Sequence, residues 1–560
     1  MKNQGWTSAW KDCLLLSLGI SLFFGILLGQ RFLQVPDEGR YVEIPREMLA
    51  LHHYLSPQIN GINYFEKPIL FYWLEALGLK LGGLNLWAER IPTALMGLIG
   101  CLFTYIATRI LMDRRSGIFA ALILASSLLY FVMAHTITPD MLLSTLLTGT
   151  LLCFILGIQN KGSLRRRYFW AMYVFSALAL LTKGFVGIIF PGLIIFTWIG
   201  IHQEWRSLKT CCLVSGLLIV LVIGLPWHIF MQLEHPEFFH YFIIRQQFLR
   251  YFTSVANRAE PFWFLPLVLF LGFLPWIFFL FQAIQFHWPR WAERNTSKNK
   301  ISTFFLLWLG LIYIFFQFSN SQLMTYLLPI FPPMSILVGS YFSQLDLKTS
   351  SKGIRWGLWG LLTFSLLLCF SLFWLQHLGK IEDLWPGAHL KDFLLPIALL
   401  LILSGLGFLA YFKKSLSCMV LILSLGMGAF ENSILLNPLA FEQKSTQPLV
   451  SALGPLWTPG DRVFSYEDYF QDLPVYLNQK VILVMDPNGL GELSFGAEHQ
   501  SLKGILISRS DFWQQWKPSP PRMFIVLKIS VYQSLNQNER SKLYVIHQTN
   551  RALIASNFPV

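Results

Sequence analysis

The sequence predicts a polytopic α-helical membrane protein with about 13 spanning helices and a C-terminal α/β domain outside the membrane. Three observations carry this. The 560 residues are 54% hydrophobic and only 13% charged, against the ~25% charge of a soluble domain. Apolar runs of bilayer-crossing length recur, for example 211–230, 262–281 and 356–374. Basic residues cluster in alternate links between those runs, the mark of membrane orientation.

The spans are expected at 12–30, 88–108, 117–134, 141–158, 168–182, 184–200, 211–230, 262–283, 301–318, 324–342, 355–375, 391–411 and 417–436. The first run is followed by Gln30-Arg31-Phe32, a poor exit for signal peptidase, and is read as a retained helix. One set of links carries Arg109, Arg114 and Arg115, then Arg165-Arg166-Arg167, Lys298 and Lys300, Lys352 and Arg355, and Lys413-Lys414. Few acids stand opposite them, which assigns this set to the cytoplasm. The other set, including 31–87 and 231–261, is balanced in sign. The expected topology is N-terminus inside and C-terminus outside. The net charge of +13 is explained by these links, and nothing points to nucleic acid.

The division expected is a transmembrane domain over 1–436 and a soluble periplasmic domain over 437–560. In the latter, short strands are expected at 462–466, 473–477, 480–485, 504–508, 522–527 and 542–546, the second weakened by Pro474. No glycine-rich phosphate loop follows any of them, so no nucleotide chemistry is assigned. The seven cysteines all lie in or beside apolar spans, and no disulfide scaffold is implied.

The candidate chemistry lies where ionisable groups meet the membrane. Glu38–His53 has the periodicity of an amphipathic helix lying along the interface. Asp37 at its start is read either as a charge favourable to the helix N-terminus or as a carboxylate facing a membrane-surface cavity. Asp140, after Pro139 and before a long apolar run, carries the same two readings. Lys67, Arg245, Arg250 and Arg258 fall on the same expected face. They suit either a lipid-linked phosphate or ordinary headgroup contact. Lys183 interrupts a nearly continuous apolar stretch, a costly placement unless it reaches a cavity or an interface.

These residues resemble a family. Pro-Asp-Glu-Gly-Arg-Tyr at 36–41, Tyr-Phe-Glu-Lys-Pro at 64–68, Arg90-Ile91-Pro92, Thr138-Pro139-Asp140-Met141, Leu181-Thr182-Lys183-Gly184 and Leu323 with Tyr326 and Leu328-Pro329 are its motifs. Together they resemble the lipid-carrier-dependent GT-C membrane glycosyltransferases of the aminoarabinose transferase and protein O-mannosyltransferase type. The likeness runs over about 10–345 and more weakly to the end.

The resemblance implies transfer of a sugar, with 4-amino-4-deoxy-L-arabinose as one candidate. The donor would be a polyprenyl phosphate and the acceptor lipid A or another envelope molecule. It also implies Asp37 and Asp140 as catalytic carboxylates. Glu66, Lys67, Lys183, Arg245, Arg250, Arg258 and Tyr326 would bind substrate. Glu66 is the one candidate for a divalent metal, as in some relatives. The chain departs from the family at Gln246-Gln247, at 257–259, and at Asn320 and Gln322, where histidine or lysine is usual. Those departures count against a metal site and against aminoarabinose specifically. A protein or polysaccharide acceptor, a transporter and an inactive scaffold are the rival classes.

Overall fold

The computed structural model of the chain describes residues 2–249, 259–345, 352–384, 388–436, 444–454, 456–458, 461–518 and 522–559. They form two compact units. One holds Met1–Leu28 and Ile91–Leu436, the other Gly29–Arg90 and Asn437–Val560.

The first unit is a helix bundle. Among the described residues it has nine helices long and apolar enough to cross a membrane, or up to eleven if each bent pair counts as one span. Helices Gly162–Lys183 and Val186–His202 lie between them in sequence. With these two, every expected span has a helix or a bent pair at its place. The bends have local causes. Arg114–Ala125 and Leu128–Ala134 meet at 67°, where the Ser126 and Ser127 hydroxyls bond back to the carbonyls of Leu122 and Ile123. Phe264–Gly272 and Ile277–His287 meet at 96° around Pro275.

The most enclosed of these helical stretches are Pro139–Gln159 and Met324–Gln344, each with 89% of its apolar window buried, whereas Leu213–Glu234 buries 17%. Gly157 allows Pro139–Gln159 to pack closely on its neighbour, since a Cβ there would come within 2.7 Å of the Phe169 ring. Asp140 therefore starts a helix whose position the bundle fixes.

The second unit is built from two distant stretches of chain. Its six-stranded sheet runs in the order Leu506–Ile507, Ile482–Val484, Arg462–Tyr466, Met523–Lys528, Ala552–Ser556 and Tyr544–Gln548. The first four strands are parallel and the last two antiparallel to their neighbours. Phe464, Tyr466, Phe512, Trp516, Ile525 and Leu527 form the core on one side. Residues 473–477, expected as a strand, form a helix. Pro474 occupies its first turn, where a missing N–H costs nothing. Strand Ala552–Ser556 was not expected; all five of its residues are buried, so it lacks the alternation that marks a strand.

The other stretch packs with this sheet region by specific contacts. The Asn60 side chain bonds both the carbonyl and the N–H of Val481. The Leu33 N–H donates to the Tyr476 hydroxyl. Gly39 lies so close to Gln471 and Asp472 that a Cβ would sit 2.5 Å from backbone. By contacts, then, residues 29–90 join the C-terminal residues, whereas a division at 436 follows the crossing pattern of the chain.

The expected interfacial helix spans Asp37–Leu51, ending at His52 in the left-handed region. It is not a strip with one free face. Glu38 through Met48 are buried without a break. Burial on the polar face is possible because its charges are paired. Glu38 meets Arg31 at 2.6 Å and Arg90 at 3.1 Å, and Glu43 takes a bidentate bond from Arg46. Glu47 accepts from the Gly61 N–H at 3.0 Å.

Candidate active site

In the second unit Arg40 is the centre of the arrangement. It stands one turn along the helix from Asp37, so both side chains lie on one face. Its guanidinium is 5% exposed and donates to Asp37 and to Glu492. It also donates to the Tyr64 hydroxyl at 3.0 Å, and Tyr64 donates to Glu66 at 3.1 Å. Gln471 holds the other oxygen of Glu492 at 3.1 Å. The Asp37 side chain is 57% exposed, so its carboxylate is anchored on one side and open on the other.

Burial raises the Tyr64 phenol well above its usual value, which keeps it a neutral hydroxyl able to accept and donate in this chain. Burial also pushes the Glu492 carboxyl up, against the pull of Arg40. The Tyr72 ring packs 6.2 Å from Tyr41, and its buried hydroxyl has no partner among the described residues. Lys67 follows Glu66 and donates to the Glu66 carbonyl at 3.3 Å. Asp37, Glu66 and Lys67 are thus brought into one network. Its organising residues, Arg40 and Tyr64, stood inside the motifs without being assigned a role. Glu492 was missed altogether.

In the first unit Lys183 forms an ion pair with Asp140. Their side chains are 16% and 12% exposed, so the charge that interrupts the apolar stretch is compensated internally. The Asp140 carboxylate is engaged by that lysine; Thr138, the residue capping its helix, makes no side-chain capping bond. The Lys183 ammonium also stands 4.7 Å from the centre of the Tyr326 ring. Helix Gly162–Lys183 stops here because Gly184 takes a φ of +83°. Gln247, at a family departure, reaches the Lys183 carbonyl at 3.5 Å.

Asp140, Lys183 and Tyr326 therefore form a second constellation, from three segments. Arg245 lies in the helical segment His240–Leu249, over the Tyr241 ring at 5.6 Å. Arg250 and Arg258 lie outside the described residues. No group of three or more His, Cys, Asp or Glu side chains able to hold a metal occurs among the described residues. Glu66 accepts from the Tyr64 hydroxyl. The described residues offer no such set around Glu66, and no step is derived through a metal.

Two family models match the chain. Residues 66–230 match that of dolichyl-phosphate-mannose-protein mannosyltransferase. Residues 449–557 match the aminoarabinose transferase C-terminal domain. By these two matches the chain is similar to the aminoarabinose transferases and their lipid-carrier-dependent relatives.

Relatives extend that similarity along the chain. The undecaprenyl phosphate-α-4-amino-4-deoxy-L-arabinose arabinosyl transferase of Erwinia tasmaniensis is 27% identical over 534 residues, 92% of this chain and 93% of that protein. Arabinosyl transferase 1 of Proteus mirabilis is 32% identical over 343 residues, 60% of this chain and 61% of that protein. The crystal structure of ArnT from Cupriavidus metallidurans in the apo state has the same fold. It matches with a TM-score of 0.84 at 24% identity, covering 100% of this chain and 98% of that one. The family's C-terminal model ends in the sheet unit and includes Glu492, so that residue lies within a family domain.

Proposed function

We propose that this chain transfers a sugar, with 4-amino-4-deoxy-L-arabinose as the first candidate, from a polyprenyl-phosphate donor to lipid A or another envelope acceptor. The donor and sugar classes are those named for the Erwinia and Proteus relatives. Transfer would take place at the periplasmic face of the inner membrane, with the N-terminus cytoplasmic and the region after 436 periplasmic. The alternation of basic and balanced links supports that orientation.

The observation that carries the reading is the Asp37 carboxylate, open on one side and fixed on the other by buried Arg40. A polyprenyl-phosphate sugar already has an activated leaving group. The protein must hold the phosphate, expose the anomeric carbon and orient the acceptor oxygen. Asp37 is the group for the acceptor. It deprotonates a hydroxyl acceptor, or positions one that is already an ionised phosphate. Lys67 is a phosphate partner in the second unit. Lys183, held by Asp140, is the cation of the first unit. An inverting single displacement is the simplest course. Asp37, Glu66 and Glu492 outnumber Arg40 and Lys67 in charge, which favours a sugar carrying an ammonium group.

A second reading keeps the donor class and changes the acceptor to a protein or polysaccharide. It is favoured by the match of 66–230 to the protein mannosyltransferase model, and by Asn320 and Gln322 in place of the usual lysines. Incubation of the purified chain with polyprenyl-phosphate aminoarabinose and lipid A, read by mass spectrometry, tests the first reading. An aminopentose on lipid A supports it. Consumption of donor only when peptide or glycan is supplied supports the second. No transfer and no donor binding across a broad panel refutes both.

A further inference from the structure

In the first unit helices Lys352–His377 and Lys391–Phe412 pack together, with the start of one beside the end of the other. The Trp359 and Phe408 rings lie 5.1 Å apart, and the Leu358 side chain covers Gly407. Between them runs a groove of about 670 Å³, walled by Trp356, Trp359, Phe408, Tyr411 and Phe412, with Arg355 at its mouth. Trp356 and Phe412 are 68% and 71% exposed. Leu362 closes the deep end. It lies seven positions along the helix from Arg355, which places it about 10 Å below the cation.

The charge at the mouth is one-sided. Lys352, Arg355, Lys413 and Lys414 gather at this end and are exposed. The Lys352–His377 helix has no acid, and the one acid of the Lys391–Phe412 helix, Asp392, is at its opposite end. None of the four cations has a carboxylate in ion-pair reach among the described residues. A layer of cations above an aromatic cleft of this depth complements a molecule with an anionic head and an apolar tail. Water alone would leave the aromatic walls exposed, and a free anion would leave the cleft unfilled.

We propose that this groove binds one anionic glycerophospholipid of the bilayer, its phosphate at Arg355 with Lys413 and Lys414, and an acyl chain between Trp359 and Phe408. The site is separate from Asp140 and Lys183 and does not depend on the transfer reaction. Full-length protein in detergent is titrated with phosphatidylglycerol brominated along its acyl chains, and separately with brominated phosphatidylcholine, reading tryptophan quenching. Phosphatidylglycerol should saturate at a concentration at least about fivefold lower. The double variant Trp356→Phe, Trp359→Phe should lose that saturable quenching. Arg355→Gln combined with Lys413→Gln should raise the half-saturating concentration about fivefold, with the phosphatidylcholine curve unmoved. Inorganic phosphate should not compete; full competition would mean that a free anion, not a lipid, is recognised, and would overturn the proposal. Equal curves for the two lipids would overturn it as well, and that comparison uses the unaltered chain and needs no variant to fold.

Discussion

The two units handle buried charge in different ways. In the helix bundle, Lys183 and Asp140 form an ion pair set among apolar and aromatic side chains, with Tyr326 beside the cation. In the second unit, charges on one buried helix are woven into a network that reaches Glu492, 452 positions away. The bundle gains its order from apolar packing and holds its few charges in separate local sets, Lys183 with Asp140 and Asp12 with Arg109 and Arg114. The second unit gains much of its order from the charges themselves, and the open carboxylate of Asp37 is anchored by that order. A side chain on a rigid, paired support loses less freedom on binding substrate than one on a free loop.

The comparison can be broken by substitution. Asp37→Asn should have the largest effect, lowering transfer by about 10²–10⁴-fold with little change in melting, because this side chain is 57% exposed. Turnover within a fewfold of the parent would remove Asp37 from its role. Lys183→Met should destabilise the bundle by about 2–4 kcal/mol, since it leaves Asp140 buried without its partner. Pairing it with Asp140→Leu should recover most of the melting temperature and none of the activity. Recovery of both would make the pair purely structural.

Glu492→Gln sharpens the contrast, because it removes one anchor of Arg40 while sparing the fold of the sheet. A fall of about tenfold in kcat, corresponding to about 1.4 kcal/mol, is expected with KM nearly unchanged. A change confined to KM would instead place Glu492 in substrate binding.

A further effect concerns pH and leaves the transfer site untouched. Glu89 is 2% exposed with one oxygen unpaired, and burial raises its carboxyl to about 7. The folded state then binds a proton that the unfolded chain has released. Stability is greatest below the ordinary value of 4.5 and falls as pH rises from there to about 7. Glu89→Gln should flatten this slope, removing up to about 3 kcal/mol of pH dependence. An unaltered slope in thermal melts between pH 5 and 7.5 would show that Glu89 does not carry it.

The same contrast explains what was legible in the sequence. The spans were, because crossing a bilayer is a demand on each contiguous run of residues. The break at Lys183-Gly184 was too, since a lysine and a glycine in an apolar run are local signals. The bends at 126–127 and at Pro275 were merged into single spans, because hydropathy does not register a change of direction. Asp37, Glu66 and Lys67 were legible as motif residues and Asp140 as a misplaced charge. Arg40 could have been found from its i,i+3 spacing to Asp37. Glu492 sits in a Gly-Leu-Gly-Glu turn with no local feature, and its role exists only through a contact with Arg40 made on folding. The burial of helix Asp37–Leu51 was hidden for the same reason, as its polar face reads as solvated until its partners are known.

The account rests on Asp37 being the reactive end of a charge network that serves sugar transfer. The most direct measurement is mass spectrometry of lipid A from cells lacking endogenous transferase and expressing either the parent chain or Asp37→Asn at equal membrane levels. The account predicts lipid A bearing an added aminopentose with the parent and unmodified lipid A with the variant. Equal modification by both, or no change in lipid A from either while the purified parent fails to consume a polyprenyl-phosphate aminopentose, would contradict it.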